Sequence, residues 1–132
     1  MKFMLMMNGP KNGWEQFVSL PKQDLARHVG FMRAFVKKLG ESGELVATEG
    51  LAFPNEAKRV RAGANAEPIT DGVFPESKEF LAGYWIVDVD SPERAYAIAA
   101  EASAAPGPGG APINMWIEVR QVMSSAPREW TE

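Results

Sequence analysis

The chain has 132 residues, 45% hydrophobic and 23% charged, the profile of one soluble globular domain rather than of a disordered or membrane protein. Its 14 basic and 17 acidic residues give a net charge of −3 with no basic block, which argues against direct nucleic-acid binding. The absence of cysteine excludes disulfides, thiolate catalysis and cysteine metal sites.

The opening "MKFMLMM" carries too short an apolar run for an export signal, and no stretch reaches the ~20 apolar residues of a membrane span, so a cytoplasmic location is expected. Residues 2–7 read as a strand with Phe3, Leu5 and Met7 on one face and Met4 and Met6 on the other. After "NGPKNG" and an ill-defined "WEQFVSL", a helix is expected from about Pro21 to Ser42, with Gly43 at its stop. Leu25, Val29, Met32, Val36 and Leu39 form its apolar stripe, and Arg27, Gly30, Arg33, Lys37, Lys38 and Glu41 its back.

"ELVATEGL" and "KRVRA" read as strands, and "LAGYWIVDVD" is the strongest strand by its β-branched and aromatic content. Between them, "ITDGVFPESKEF" reads as a structured loop in which Pro75 can begin a helical turn. In "SPERAYAIAAEA", Ser91 is the N-cap, Pro92 the first helical residue, and Ala95, Ile98, Ala99 and Ala102 a narrow apolar face. "APGPGGAP" reads as a flexible connector, "NMWIEVRQVM" as a last strand, and "SSAPREWTE" as a frayed tail, so the domain spans 1–123 and the tail 124–132.

The order strand, helix, two strands, strand, helix, strand suits an α+β sandwich of ferredoxin-like type, an antiparallel sheet with two helices on one face. Met4, Met6, Tyr84, Ile86 and Trp116 then fall on the other face, where a second copy of the same sheet is the simplest cover.

"TDGVFPESKEFLAGYWIVDVDSPERAYAIAA" followed by "IEVRQVM" resembles the DGPF-domain branch of the YCII-related family, through Thr70, Asp71, Gly72, Phe74, Glu76, Ser77, Lys78, Glu79, Leu81 and Gly83. Val73 stands where the name-giving proline of the motif belongs. The resemblance implies a homodimeric α/β barrel with sheets paired face to face and a His–Asp pair in a cleft. It also implies, for many members, an association with extracytoplasmic-function sigma factors.

His28, the one histidine of the chain, falls inside the apolar stripe and should point toward the sheet. It suits either a hydrogen-bonded packing role or general acid/base work with Asp71 as its orienting carboxylate. Asp71 alone also suits a turn before Gly72. Thr70, Gly72, Phe74, Glu76 and Lys78 would shape the same cleft, although Glu76, Lys78 and Glu79 also fit a solvated helical turn.

"PGPGGAP" lacks the Gly-Lys-Ser/Thr ending of a phosphate loop, and no G-x-S-x-G elbow is present. One histidine and no cysteine leave too few nitrogen and sulfur ligands for zinc or non-haem iron, so neither metal nor cofactor is expected. The expected function is small-molecule binding, with cofactor-free proton transfer of isomerase or lyase type on a small organic acid or lactone. The alternative is a non-catalytic ligand-sensing module in a sigma-factor circuit.

Overall fold

A computed structural model describes residues 1–10, 13–72 and 78–131. The elements are β1 (Lys2–Pro10), α1 (Gly13–Val18), α2 (Lys22–Glu41), β2 (Leu45–Gly50), β3 (Arg59–Ala62), β4 (Pro68–Asp71), β5 (Glu79–Asp88), α3 (Pro92–Ser103) and β6 (Ile117–Gln121). Four strands form one antiparallel sheet in the order β2-β5-β1-β6, and β3 pairs with β4 in a separate hairpin. Both helical crossovers skip one strand, an arrangement compatible with a ferredoxin-like fold.

Strand alternation divides the sheet into two faces. Leu5 of β1 stands opposite Trp85 of β5 and Val119 of β6, and with Phe3 and Val87 it meets Phe35 and Leu39 of α2 in one core. Ala95, Ile98, Ala99 and Ala102 of α3 complete that core; the three alanines let the helix lie close against the sheet. On the other face Met4 pairs with Ile86 and Met6 with Tyr84, all four half-buried within one chain.

The local signals for α3 act as expected: Ser91 Oγ accepts the Arg94 N–H at 3.3 Å, and Pro92 occupies the first turn. α2 ends before Gly43, whose φ of +77° is a left-handed conformation that glycine adopts without penalty. Elsewhere the chain differs from its sequence reading. β1 runs on to Pro10 across a bulge at Met7/Asn8, because Asn8, Gly9 and Pro10 still pair with Leu81, Phe80 and Glu79. "WEQFVSL" contributes to the short helix α1, and the last strand begins at Ile117, leaving Trp116 outside it and 93% exposed.

The segment after α3 is folded. Gly107 N–H donates to Ala111 O at 2.7 Å, Ile113 N–H to Ala105 O at 2.9 Å, and Asn114 N–H to Ser103 O at 2.8 Å, with a short 3₁₀ turn at Pro108–Gly110. In the tail, Arg128–Trp130 forms a further 3₁₀ turn. Among the described residues, no helix is long and apolar enough to cross a membrane.

Candidate functional site

Only the second half of α2 packs tightly on the sheet. Phe35 and Leu39 are buried there, whereas Val29, one turn and a half earlier on the expected stripe, is exposed. The apolar side of the first half instead walls a cavity of about 770 Å³, bounded also by α1, the adjoining ends of β1, β2 and β5, and the segment after α3. Trp14, Phe17, Met32, Phe53, Phe80 and Trp85 supply much of its surface. Trp14 and Phe53 stack with ring centroids 5.1 Å apart and planes 21° from parallel, which joins α1 to the segment after β2.

Few polar side chains interrupt this lining. Thr48 donates its hydroxyl to Tyr84 O at 2.9 Å, so its proton is already committed to the sheet. Arg33 stands exposed at the cavity, where no described residue pairs with it, and Gln16 and Glu49, also exposed, share the lining. His28 is half-buried and lines the same space. Its Nδ1 lies 3.0 Å from Pro106 O, and its ring meets Phe17 edge-on at 4.9 Å. A carbonyl oxygen can only accept, so this contact requires the proton on Nδ1 and makes Nε2 the lone-pair nitrogen of the neutral ring. Among the described residues none bonds to Nε2.

Asp24, one helical turn before His28, is 5% exposed, the one buried charged side chain among the described residues. It accepts the Gly109 N–H at 3.1 Å and lies 3.5 Å from an Arg27 guanidinium nitrogen. Asp24 and His28 therefore fasten two points of the segment after α3 onto α2. Asp24, Trp14, Phe17 and Phe53 escaped the sequence reading. The signal for Asp24 was its i, i+4 spacing to an inward histidine; the aromatic residues lay in stretches with no clear period.

The other expected site residues lie apart from this lining. Thr70 and Asp71 end β4, opposite Val60 and Arg59 of β3. The Asp71 carboxylate is 79% exposed, lies 3.0 Å from an Arg59 guanidinium nitrogen and accepts the Gly72 N–H at 2.8 Å, while Gly72 O accepts from Arg59 Nε. His28 and Asp71 thus have different partners. Thr70, Asp71, Gly72 and the exposed Lys78 do not line the cavity. Phe74 and Glu76 lie outside the described residues, as does the turn expected at Pro75.

Among the described residues, no group of three or more histidine, cysteine, aspartate or glutamate side chains could hold a metal ion. What the site offers is an apolar enclosure of ligand size with one imidazole, the usual composition of a small-molecule pocket. No curated protein matches the chain significantly. The family model of the YCII-related domain matches residues 1–110, through β1, both long helices and the segment that anchors His28, and the chain belongs to that family.

Proposed function

We propose that this protein binds a small organic molecule in the cavity between α2 and the sheet, with His28 as the group that contacts its reactive or polar atom. The observation that carries the reading is the half-buried imidazole of His28 in the wall of an otherwise largely apolar cavity of about 770 Å³. With Nδ1 engaged by Pro106 O, the ring is held in one tautomer and Nε2 can take a proton from a bound ligand and return it elsewhere, as an isomerase or a lyase requires. A molecule that can give up a proton to Nε2 is the substrate class this chemistry suits, and the small acid or lactone expected from the sequence is its simplest form. Membership of the DGPF branch and a sheet-to-sheet homodimer belong to the same proposal.

Ligand sensing without turnover is the second reading. The pairing of Asp71 with Arg59 favours it, because a His28–Asp71 dyad would first have to break that pair. A sigma-factor-linked partner for such a sensor rests on the sequence resemblance alone.

The test is an NMR titration of ¹⁵N-labelled protein with a library of small acids, lactones and neutral fragments, each mixture then followed for product. Shifts concentrated at the Trp14 and Trp85 indoles and on the amides of α1 and the first half of α2 are expected. Shifts confined to Tyr96 and Trp116, which border a smaller cavity of about 340 Å³ between α3 and β6, would overturn the assignment, as would no response at all. Product formation that stops in His28→Asn but not in Asp71→Asn would assign catalysis to the imidazole without the dyad. Loss in both would restore the dyad, and binding without product would favour the sensor.

A further inference from the structure

Resting on the cavity as the ligand site, we infer that its ligand is a flat, mostly apolar ring compound that carries a neutral hydrogen-bond donor, such as a phenolic or enolic hydroxyl, and that this donor meets Nε2 of His28. Three observations converge. The volume of about 770 Å³ exceeds what a small acid needs and falls within the range that takes a two- or three-ring molecule. Planar surfaces dominate part of the wall: the stacked pair Trp14 and Phe53 belongs to it, and so do Phe80 and Trp85. Aromatic walls favour aromatic ligands through offset stacking and edge contacts.

The third observation fixes the polarity. Since Pro106 O takes the Nδ1 proton, the neutral ring presents an acceptor at Nε2, and an acceptor selects a donor. A ligand with only an acceptor there would set two lone pairs against each other. Arg33 offers the opposite preference, for an anion, and Glu49 one for a cation, but both are exposed, and solvent and salt weaken exposed charges. His28 is half-buried against Phe17, where a hydrogen bond is stronger and an unmet acceptor costs more. The selection therefore lies with the imidazole.

The probes are 2-naphthol, naphthalene and 2-naphthoate, which share one ring system and differ in carrying a donor, nothing, or an anion. Calorimetric titration at neutral pH is expected to rank 2-naphthol about tenfold above naphthalene, with 2-naphthoate no better than naphthalene. In His28→Phe the advantage of 2-naphthol should vanish while naphthalene still binds. Because the chain has one histidine, its ring ¹⁵N resonances can be followed in the unaltered protein: Nε2 should move with 2-naphthol and stay nearly still with naphthalene. Equal affinity for 2-naphthol and naphthalene, a still Nε2 resonance on 2-naphthol binding, or tightest binding of 2-naphthoate would overturn the inference and leave the cavity as the ligand site. Failure of all three probes to bind, with acids or lactones shifting the same residues, would overturn the ring-compound class; failure of every fragment would overturn the site itself.

Discussion

Nδ1 of His28, on α2, lies 3.0 Å from the carbonyl oxygen of Pro106, 78 residues further along the chain. The bond orients the imidazole at the cavity and holds down the segment after α3. An asparagine amide nitrogen can reach nearly the position of Nδ1, whereas phenylalanine cannot donate. His28→Asn should therefore retain most of the stability of the protein, and His28→Phe should lose about 1–3 kcal/mol through the stranded carbonyl. Urea denaturation separates the two; equal losses would show that the bond does not anchor the segment.

Asp24 makes the companion anchor to Gly109. A buried carboxylate that accepts a backbone N–H beside a guanidinium is held by charge-assisted bonds, and its removal leaves the amide unmet. Asp24→Ala should cost about 1–3 kcal/mol, and Asp24→Asn, which keeps an acceptor oxygen, less. Hydrogen exchange at the Gly109 amide should accelerate about tenfold in the alanine variant, a local opening. An unchanged exchange rate would show that the segment holds without Asp24.

What the sequence made legible was local. Ser91 and Pro92 announced α3 because cap and first-turn chemistry act within four residues, and the spacing in α2 sent His28 inward because the helical period alone decides that. Partners were not legible. Nothing near His28 names Pro106, and nothing near Asp71 names Arg59, since both contacts depend on how distant elements dock. α1 escaped for a related reason: it is six residues long, buries no side chain fully, and owes its place to contacts such as the Trp14–Phe53 stack. The exposure of Val29 shows the same limit, because an apolar stripe looks alike in sequence whether it faces a core or a cavity.

Glu44, just before β2, accepts two hydrogen bonds of 2.8 Å from Arg94 of α3 and one of 2.8 Å from Ser42. The Arg94 bonds, partly opposed by desolvation and aided by Ser42, lower the Glu44 pKa from 4.5 to about 2. A carboxyl with a folded pKa below its unfolded one stabilises the fold fully above the unfolded value and loses that contribution as pH falls toward the folded value. Here the window runs from about pH 4.5 down to about pH 2. Arg94 is 43% exposed, so screening keeps the coupling at about 1 kcal/mol. Stability of Arg94→Met should fall less steeply across that window than that of the parent protein, and parallel profiles would contradict the pairing.

Gly83 of β5 shows why a residue of the sequence motif is glycine. A Cβ there would stand 2.8 Å from Glu49 O and 3.3 Å from Gly50 Cα, both backbone atoms of the paired strand β2. Neither can turn aside without bending the sheet. Gly83→Ala should cost about 1–3 kcal/mol. Gly30→Ala, in the middle of α2 with nothing within 4 Å of the added carbon, should instead stabilise by up to about 1 kcal/mol. Thermal denaturation that ranks the two variants the other way would refute the steric account.

The face of the sheet opposite the helices carries the last prediction. Met4 beside Ile86 and Met6 beside Tyr84 form an apolar block across the two central strands, and within one chain they are only half-buried. Charged Glu118 and Arg120 flank the block on β6, a polar rim beside an apolar centre. A second copy that laid the same face against this one would bury both blocks at once, since a two-fold contact matches a patch to itself. Light scattering should then give a dimer at micromolar concentration. Ile86→Lys, which sets a charge at the centre of the contact at a cost of several kcal/mol, should give monomers with the far-UV circular dichroism of the parent, because position 86 faces away from the core. A parent protein that scatters as a monomer at those concentrations would overturn the pairing, as would an Ile86→Lys variant that remains dimeric.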